Sequence, residues 1–251
     1  FKAYSAKKLT PLTRQMALIL KPLSLMCISL QTTTPDVLKQ TKRISATAKE
    51  ANLNLEFAKE NDVATGTELI FGLPGESLES MKEVINTTMK YRFDSISSNV
   101  LWLLRGSDLY RPEYREKYKY QSKFMLGENA LTLEGKFFSF EVDEIAVSSK
   151  DFSFEEWKRY LQYQLIMELT ITYGYARELI YNLLSTGIKA TDLFDELLDK
   201  KDLYPSTAQA ITEYLHKYTS NMFDSKVKLM EHVLSKVDEW RGNKEALVSL
   251  S

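Results

Sequence analysis

Two hydrophobic periods alternate through the first hundred residues. Apolar runs bounded by Pro, Gly or Asp, at 26–31, 64–71 and 95–104, have the length and side chains of strands. Between them, apolar positions recur every three to four residues, as on a helix. Helices are predicted from Thr10, with Pro11 in its first turn, from Thr34 through about Lys42, and from about Ala46 to Asn61. Another opens at Ser77, where Leu78, Met81, Val84, Ile85 and Met89 share one face. This alternation predicts parallel βα units and an α/β fold.

After Arg105 the pattern changes. Gly106, Pro112 and a stretch rich in Tyr, Arg and Lys up to Lys123 read as an extended excursion, and 137–147 as one or two strands. From Ser153 onward the spacing is helical. Ser153 with Glu156 forms a capping box, and Phe152 with Trp157 a hydrophobic staple. Ser206 with Gln209, after Pro205, reads as a second box, and Gly242 as the end of the last helix. Two units follow: residues 1–150, a βα portion, and residues 151–251, a helical region.

Composition narrows the function. A net charge of -1 over 251 residues gives no electrostatic case for nucleic acid or an anionic membrane. No apolar run reaches the length of a membrane span, and Lys21-Pro22 interrupts the one that resembles a leader. A cytoplasmic location is the expectation. The first residue is Phe, so the chain is expected to be part of something longer or a processed product. The single cysteine, Cys27, rules out an intrachain disulfide and any multi-cysteine metal site, and reads as a small buried residue.

Candidate chemistry gathers at three strand ends: Gln31, Glu68 and the region 99–102. In parallel sheets the C-terminal strand ends carry the site. Glu68 and Ile70 are two apart and lie on one strand face. A carboxylate among apolar neighbours needs a partner, either a ligand or a cation such as Arg43 or Arg105. Arg43 follows the second helix, where it serves as a solvated helix-end cation or as a ligand contact. The turn Gly72-Leu73-Pro74-Gly75 before a helix start could cradle an anion. His216 and His232 lack metal-ligand spacing, and the Tyr160, Tyr163, Tyr173, Tyr175 and Tyr181 series reads as helix packing. No Ser-His-Asp set, phosphate loop or dinucleotide fingerprint is present.

Three segments in order resemble the radical S-adenosylmethionine superfamily: Ile28-Ser29-Leu30-Gln31 with Pro35-Asp36-Val37-Leu38 and Lys42-Arg43; Thr67 to Ser77, containing Glu-Leu-Ile-Phe-Gly-Leu-Pro-Gly-Glu-Ser; and Leu103-Leu104-Arg105-Gly106-Ser107-Asp108-Leu109. Phe140 to Val147 with the helix opening at Ser153 resembles members that carry an N-terminal cobalamin-binding domain. The resemblance implies the second half of a partial (β/α) TIM-type barrel. It implies that Gln31 bonds the ribose or amino-acid part of S-adenosylmethionine, and that Arg43 pairs with the methionyl carboxylate. Glu68 would accept from ribose hydroxyls and Ile70 would pack the adenine. Leu101, with Val100 and Trp102, would give adenine backbone and apolar contact. It also implies a [4Fe-4S] cluster and, in the cobalamin-domain members, cobalamin. The departure is in the cluster: three closely spaced cysteines are needed, and the chain has one. The expectation is therefore the C-terminal half of an enzyme, inactive alone, whose N-terminal half holds the cluster and whose substrate is a small molecule or a peptide. Two alternatives stand beside it: a cluster-free barrel that binds a partner protein through its helical region, and an unrelated βα enzyme whose Gly-rich turn binds phosphate.

Overall fold

The structure, a computed structural model, describes residues 3–4, 10–42, 48–127, 132–134 and 137–242. Four parallel strands lie side by side in chain order: β1 (Ala3–Tyr4), β2 (Met26–Cys27), β3 (Thr65–Phe71) and β4 (Ser95–Val100). Parallel neighbours need crossover connections. Helices α1 (Pro11–Leu20), α2 (Pro35–Gln40), α3 (Ala48–Glu60) and α4 (Leu78–Lys90) supply them. The fold is α/β, with the predicted strands parallel and adjacent.

Two helix starts are fixed as the sequence suggests. The Thr10 side chain accepts from the Thr13 N–H and the Ser77 side chain from the Ser80 N–H, and the third helical residue bonds back in each case. Helix α4 buries Leu78, Met81, Val84, Ile85 and Met89, the predicted face, against the sheet.

Strand bounds differ from prediction for a visible reason. Met26 faces Thr65, 39 positions on (65 − 26), but Gln31 faces Leu69, 38 positions on (69 − 31). One extra residue has entered the β2 side of the pairing, a bulge. Gln31 absorbs it with a left-handed φ of 58°. The run 95–104 divides as well. It pairs with β3 through Val100 and then turns to β8 (Val142–Ser148), with Trp102 opposite Ile145 in an antiparallel bridge.

The stretch read as an excursion is folded. It holds helix α5 (Pro112–Tyr118), ended by Lys119 at φ 52°, and then β5 (Gln121–Leu126), antiparallel to β8. The reason is electrostatic and long-range: the Arg115 guanidinium grips both oxygens of Glu144 on β8, at 2.7 and 2.9 Å. A short pair, β6 (Thr132–Glu134) and β7 (Phe137–Ser139), precedes β8.

Beyond Ser153 the chain is helical: α6 (Phe154–Met167), α7 (Arg177–Leu184), α8 (Ala190–Asp199), α9 (Pro205–Ser220) and α10 (Lys226–Gly242). The Ser153–Glu156 capping box is present. The Ser206–Gln209 box is not. Pro205 is the first helical residue, so the cap position falls on Tyr204, and the Gln209 amide donates to Glu213 instead. Phe152 turns its ring to Phe71 (centroids 4.9 Å apart), while Trp157 stacks on Phe154 at 5.5 Å. A single buried cluster runs across position 150. It includes Phe71, Ile85 and Val100 from the sheet portion and Trp157, Tyr160, Tyr163 and Phe194 from the helical region.

Candidate functional site

The ends of β2, β3 and β4 place four of the five expected residues; Arg43 lies outside the described residues. Gln31 is tied to β3 on both sides of its peptide unit. Its N–H donates to the Glu68 carbonyl at 2.6 Å, and its carbonyl accepts from the Ile70 N–H at 2.9 Å. The bulge therefore locks the Gln31 backbone between the two β3 residues whose side chains share a face. Across β4, Glu68 is opposite Ser97 and Ile70 opposite Asn99. Paired residues point the same way, so Glu68, Ile70, Ser97 and Asn99 form one mixed polar and apolar surface. Glu68 and Gln31 are half-buried.

Ile70 packs on a second apolar cluster made of Val37, Leu73, Leu101, Leu103 and Ala146. Leu101 is thus next to the strand ends but buried. Its N–H donates to the Phe71 carbonyl at 2.8 Å and its carbonyl accepts from the Ala146 N–H at 2.9 Å. Its peptide N–H is already used by the sheet. Its neighbour Trp102 is 41% exposed.

The Gly-rich turn after β3 spends its own N–H groups within the chain. The Gly75 N–H donates to the Asp151 carboxylate at 3.1 Å, the Glu76 N–H to the Leu73 carbonyl, and the Ser77 N–H to the Ser80 hydroxyl. The three N–H groups of the turn, Gly75 to Ser77, are satisfied by the chain. The glycines are required by conformation, with φ 96° at Gly72 and 83° at Gly75. Those three N–H groups are therefore not free to cradle a phosphate.

The deeply buried carboxyl is Glu76, not Glu68. Glu76 has no exposed surface. Its Oε1 accepts from the hydroxyls of Thr34 and Ser80, both at 3.1 Å, and from Thr32 at 3.4 Å. Its Oε2 has no hydrogen-bond partner among the described residues. Burial pushes its pKa up to about 7, against the lowering effect of the three hydroxyls. Thr32 and Thr34 directly follow Gln31, so Glu76 joins the Gln31 loop to the start of α4. Nothing local in the sequence marks this role, because an acid beside a helix start ordinarily sits in water facing the dipole.

A cavity of about 530 Å3 lies along the free edge of β4, between that strand, α6, α9 and the β5–β8 pair. Ser97 and Asn99 reach it from the Glu68 face, and Gln164 and Glu168 from the helical region. Reading the sequence did not single out these two helical residues. Cys27 is 3% exposed, with Sγ 3.7 Å from the Ser29 hydroxyl, and no three His, Cys, Asp or Glu side chains form a metal-holding group among the described residues. No described helix is long and apolar enough to cross a membrane.

No protein-family model matches the chain, and no curated protein matches it significantly. Among solved structures it is similar to the radical S-adenosylmethionine methyltransferase TsrM from Kitasatospora setae, determined with tryptophan substrate and an S-adenosylmethionine analogue. The TM-score is 0.32 and the identity 16%, over 39% of this chain and 19% of that one. The likeness is too small to assign a fold, and the chain spans about a fifth of that protein's length.

Proposed function

We propose that this chain is the C-terminal part of a radical S-adenosylmethionine enzyme and supplies contacts to S-adenosylmethionine from the second half of a partial barrel. One observation carries the reading. The residues that the sequence resemblance assigns to the nucleoside come together: Gln31, just past β2, is bonded to the adjacent parallel strand β3 between Glu68 at its middle and Ile70 near its end. The donor set fits the adenosyl part: a carboxylate for ribose hydroxyls, an amide for polar edges, and apolar Ile70 against the Leu101 cluster for a ring. Binding at this edge would hold the nucleoside by hydrogen bonds and keep water from its apolar side. The reactive chemistry belongs to the cofactor.

The chain does not fit the cluster. One buried cysteine cannot supply three thiolate ligands. The cluster-holding residues must come from another polypeptide segment. Titrating the 251-residue chain with S-adenosylhomocysteine by calorimetry tests the nucleoside site without needing a cluster. Saturable binding is expected, weakened by about 1–3 kcal/mol in Glu68→Ala, the usual cost of losing a charged hydrogen-bond partner. A folded chain that takes up no nucleoside would overturn the reading.

A second reading rests on α10, which exposes Val227, Met230 and Leu234 at helical spacing. There the chain is a cluster-free partner-binding module of α/β fold. That reading gains if the nucleoside titration is blank.

A further inference from the structure

The π-helical turn Glu168–Thr172 is a device with two ends. It widens the helix, so that the Tyr173 N–H donates to the Glu168 carbonyl at 2.8 Å, five residues back. Turns of this kind cost helix hydrogen bonds and are found where side chains must be re-aimed. At one end, Thr172 seals the free edge of β4. Its hydroxyl accepts from the Ile96 N–H at 3.1 Å and donates to the Ile96 carbonyl at 2.9 Å. At the other end, Glu168 lines the 530 Å3 cavity. The strand edge is therefore closed at Ile96, and the space beyond it is kept open with a carboxylate on its wall.

The charge in that wall is lopsided. Asp143 from β8 and Glu168 face it, and the single basic side chain among its lining residues is Lys217 from α9. Trp102, Tyr214 and Tyr218 add aromatic faces, which attract cations. In a recess walled by protein, these charges act through a lower dielectric than water and select the sign of an occupant. Its volume lies in the range of small-molecule sites.

We infer that the cavity at the edge of β4 is a binding site for a small organic amine cation with an apolar or aromatic body. The ammonium would lie toward Glu168 and Asp143, and the carbon body against Trp102, Tyr214 and Tyr218. The cavity adjoins the proposed nucleoside surface through Ser97 and Asn99, but Gln31, Glu68 and Ile70 do not line it, so the inference stands whether or not those bind.

The test uses the whole chain and two probes of similar shape and opposite charge, phenethylamine and 3-phenylpropionate, titrated at neutral pH and observed by NMR. Phenethylamine is expected to bind saturably and at least about ten-fold tighter than the acid, as a charged hydrogen bond in a partly dry site requires. Glu168→Gln and Asp143→Asn should each reduce amine affinity about ten-fold and reduce the preference for it over the acid, with the circular dichroism spectrum unchanged. Saturating S-adenosylhomocysteine should leave amine affinity as it was. Equal affinity for the two probes would overturn the inference. So would an amine affinity unmoved in both folded variants, or competition between the amine and the nucleoside.

Discussion

At the scale of single residues, Glu76 is the group on which stability turns with pH. Its folded pKa is raised from 4.5 to about 7 by burial. The stabilising effect of its proton is complete below the unfolded value and is lost as pH rises through the folded one. Wild-type chain should therefore lose up to about 3 kcal/mol of unfolding free energy from this site between pH 5 and pH 8. Glu76→Gln keeps the shape and removes the charge. Urea denaturation at the two pH values should show its pH slope flattened and its stability above wild type at pH 8. Identical slopes would mean that Glu76 is not the titrating group. Gly75 makes a second, smaller prediction. An added Cβ would come within 2.5 Å of the Gln40 amide, a flexible side-chain end able to swing aside, but φ stays at 83°. Gly75→Ala should thus cost about 1 kcal/mol through backbone strain, and thermal melting should show a modest drop without loss of cooperativity. Both glycines of this turn were legible from the motif. The burial of Glu76 was not, since it depends on Thr32 and Thr34, more than forty residues away in sequence.

At the scale of elements, period and capping chemistry were enough to predict most helices and the parallel strands β2, β3 and β4. The misreadings share a cause, which is that a long-range partner decided the outcome. The segment after Gly106 has the composition of a loop and becomes α5 and β5 because Arg115 and Ser122 both reach Glu144 on β8. The box at Ser206 failed because the helix starts at Pro205, two residues earlier than a cap at Ser206 would allow. Tyr173 and Tyr175, grouped by spacing with core tyrosines, are 61% and 81% exposed, because the helix ends at Thr172 and both lie in the link before α7, beside Gly174 at φ 78°. The π turn yields a prediction. Thr172→Val keeps side-chain shape and removes both bonds to Ile96, leaving a strand edge unsatisfied. A cost of about 1–3 kcal/mol is expected, with faster hydrogen exchange at the Ile96 amide. Unchanged exchange there would show that the hydroxyl does not cap the edge.

At the scale of the whole molecule, the helical region is part of the sheet's core. Tyr160 stacks on Phe71 with centroids 4.5 Å apart, its hydroxyl bonds Ser98 on β4, and the Tyr181 hydroxyl donates to the Phe93 carbonyl at 2.6 Å. We expect one cooperative unfolding transition in which tryptophan fluorescence and far-ultraviolet dichroism coincide. Trp157, with no exposed surface, should cost about 3–5 kcal/mol when replaced by Ala. Two separated transitions would instead favour independent units meeting near Lys150. The sequence by itself determined the α/β class, the parallel order of the strands, the main helix starts and the motif that puts Glu68 and Ile70 on one strand face. These are local matters of period, cap and turn, readable because each depends on residues a few positions apart. Tertiary structure alone decided the bulge that pins Gln31, the burial of Glu76, the sealing of the β4 edge and the cavity beside it. Each of those arises where segments distant in the chain compete for the same backbone groups and the same dry space.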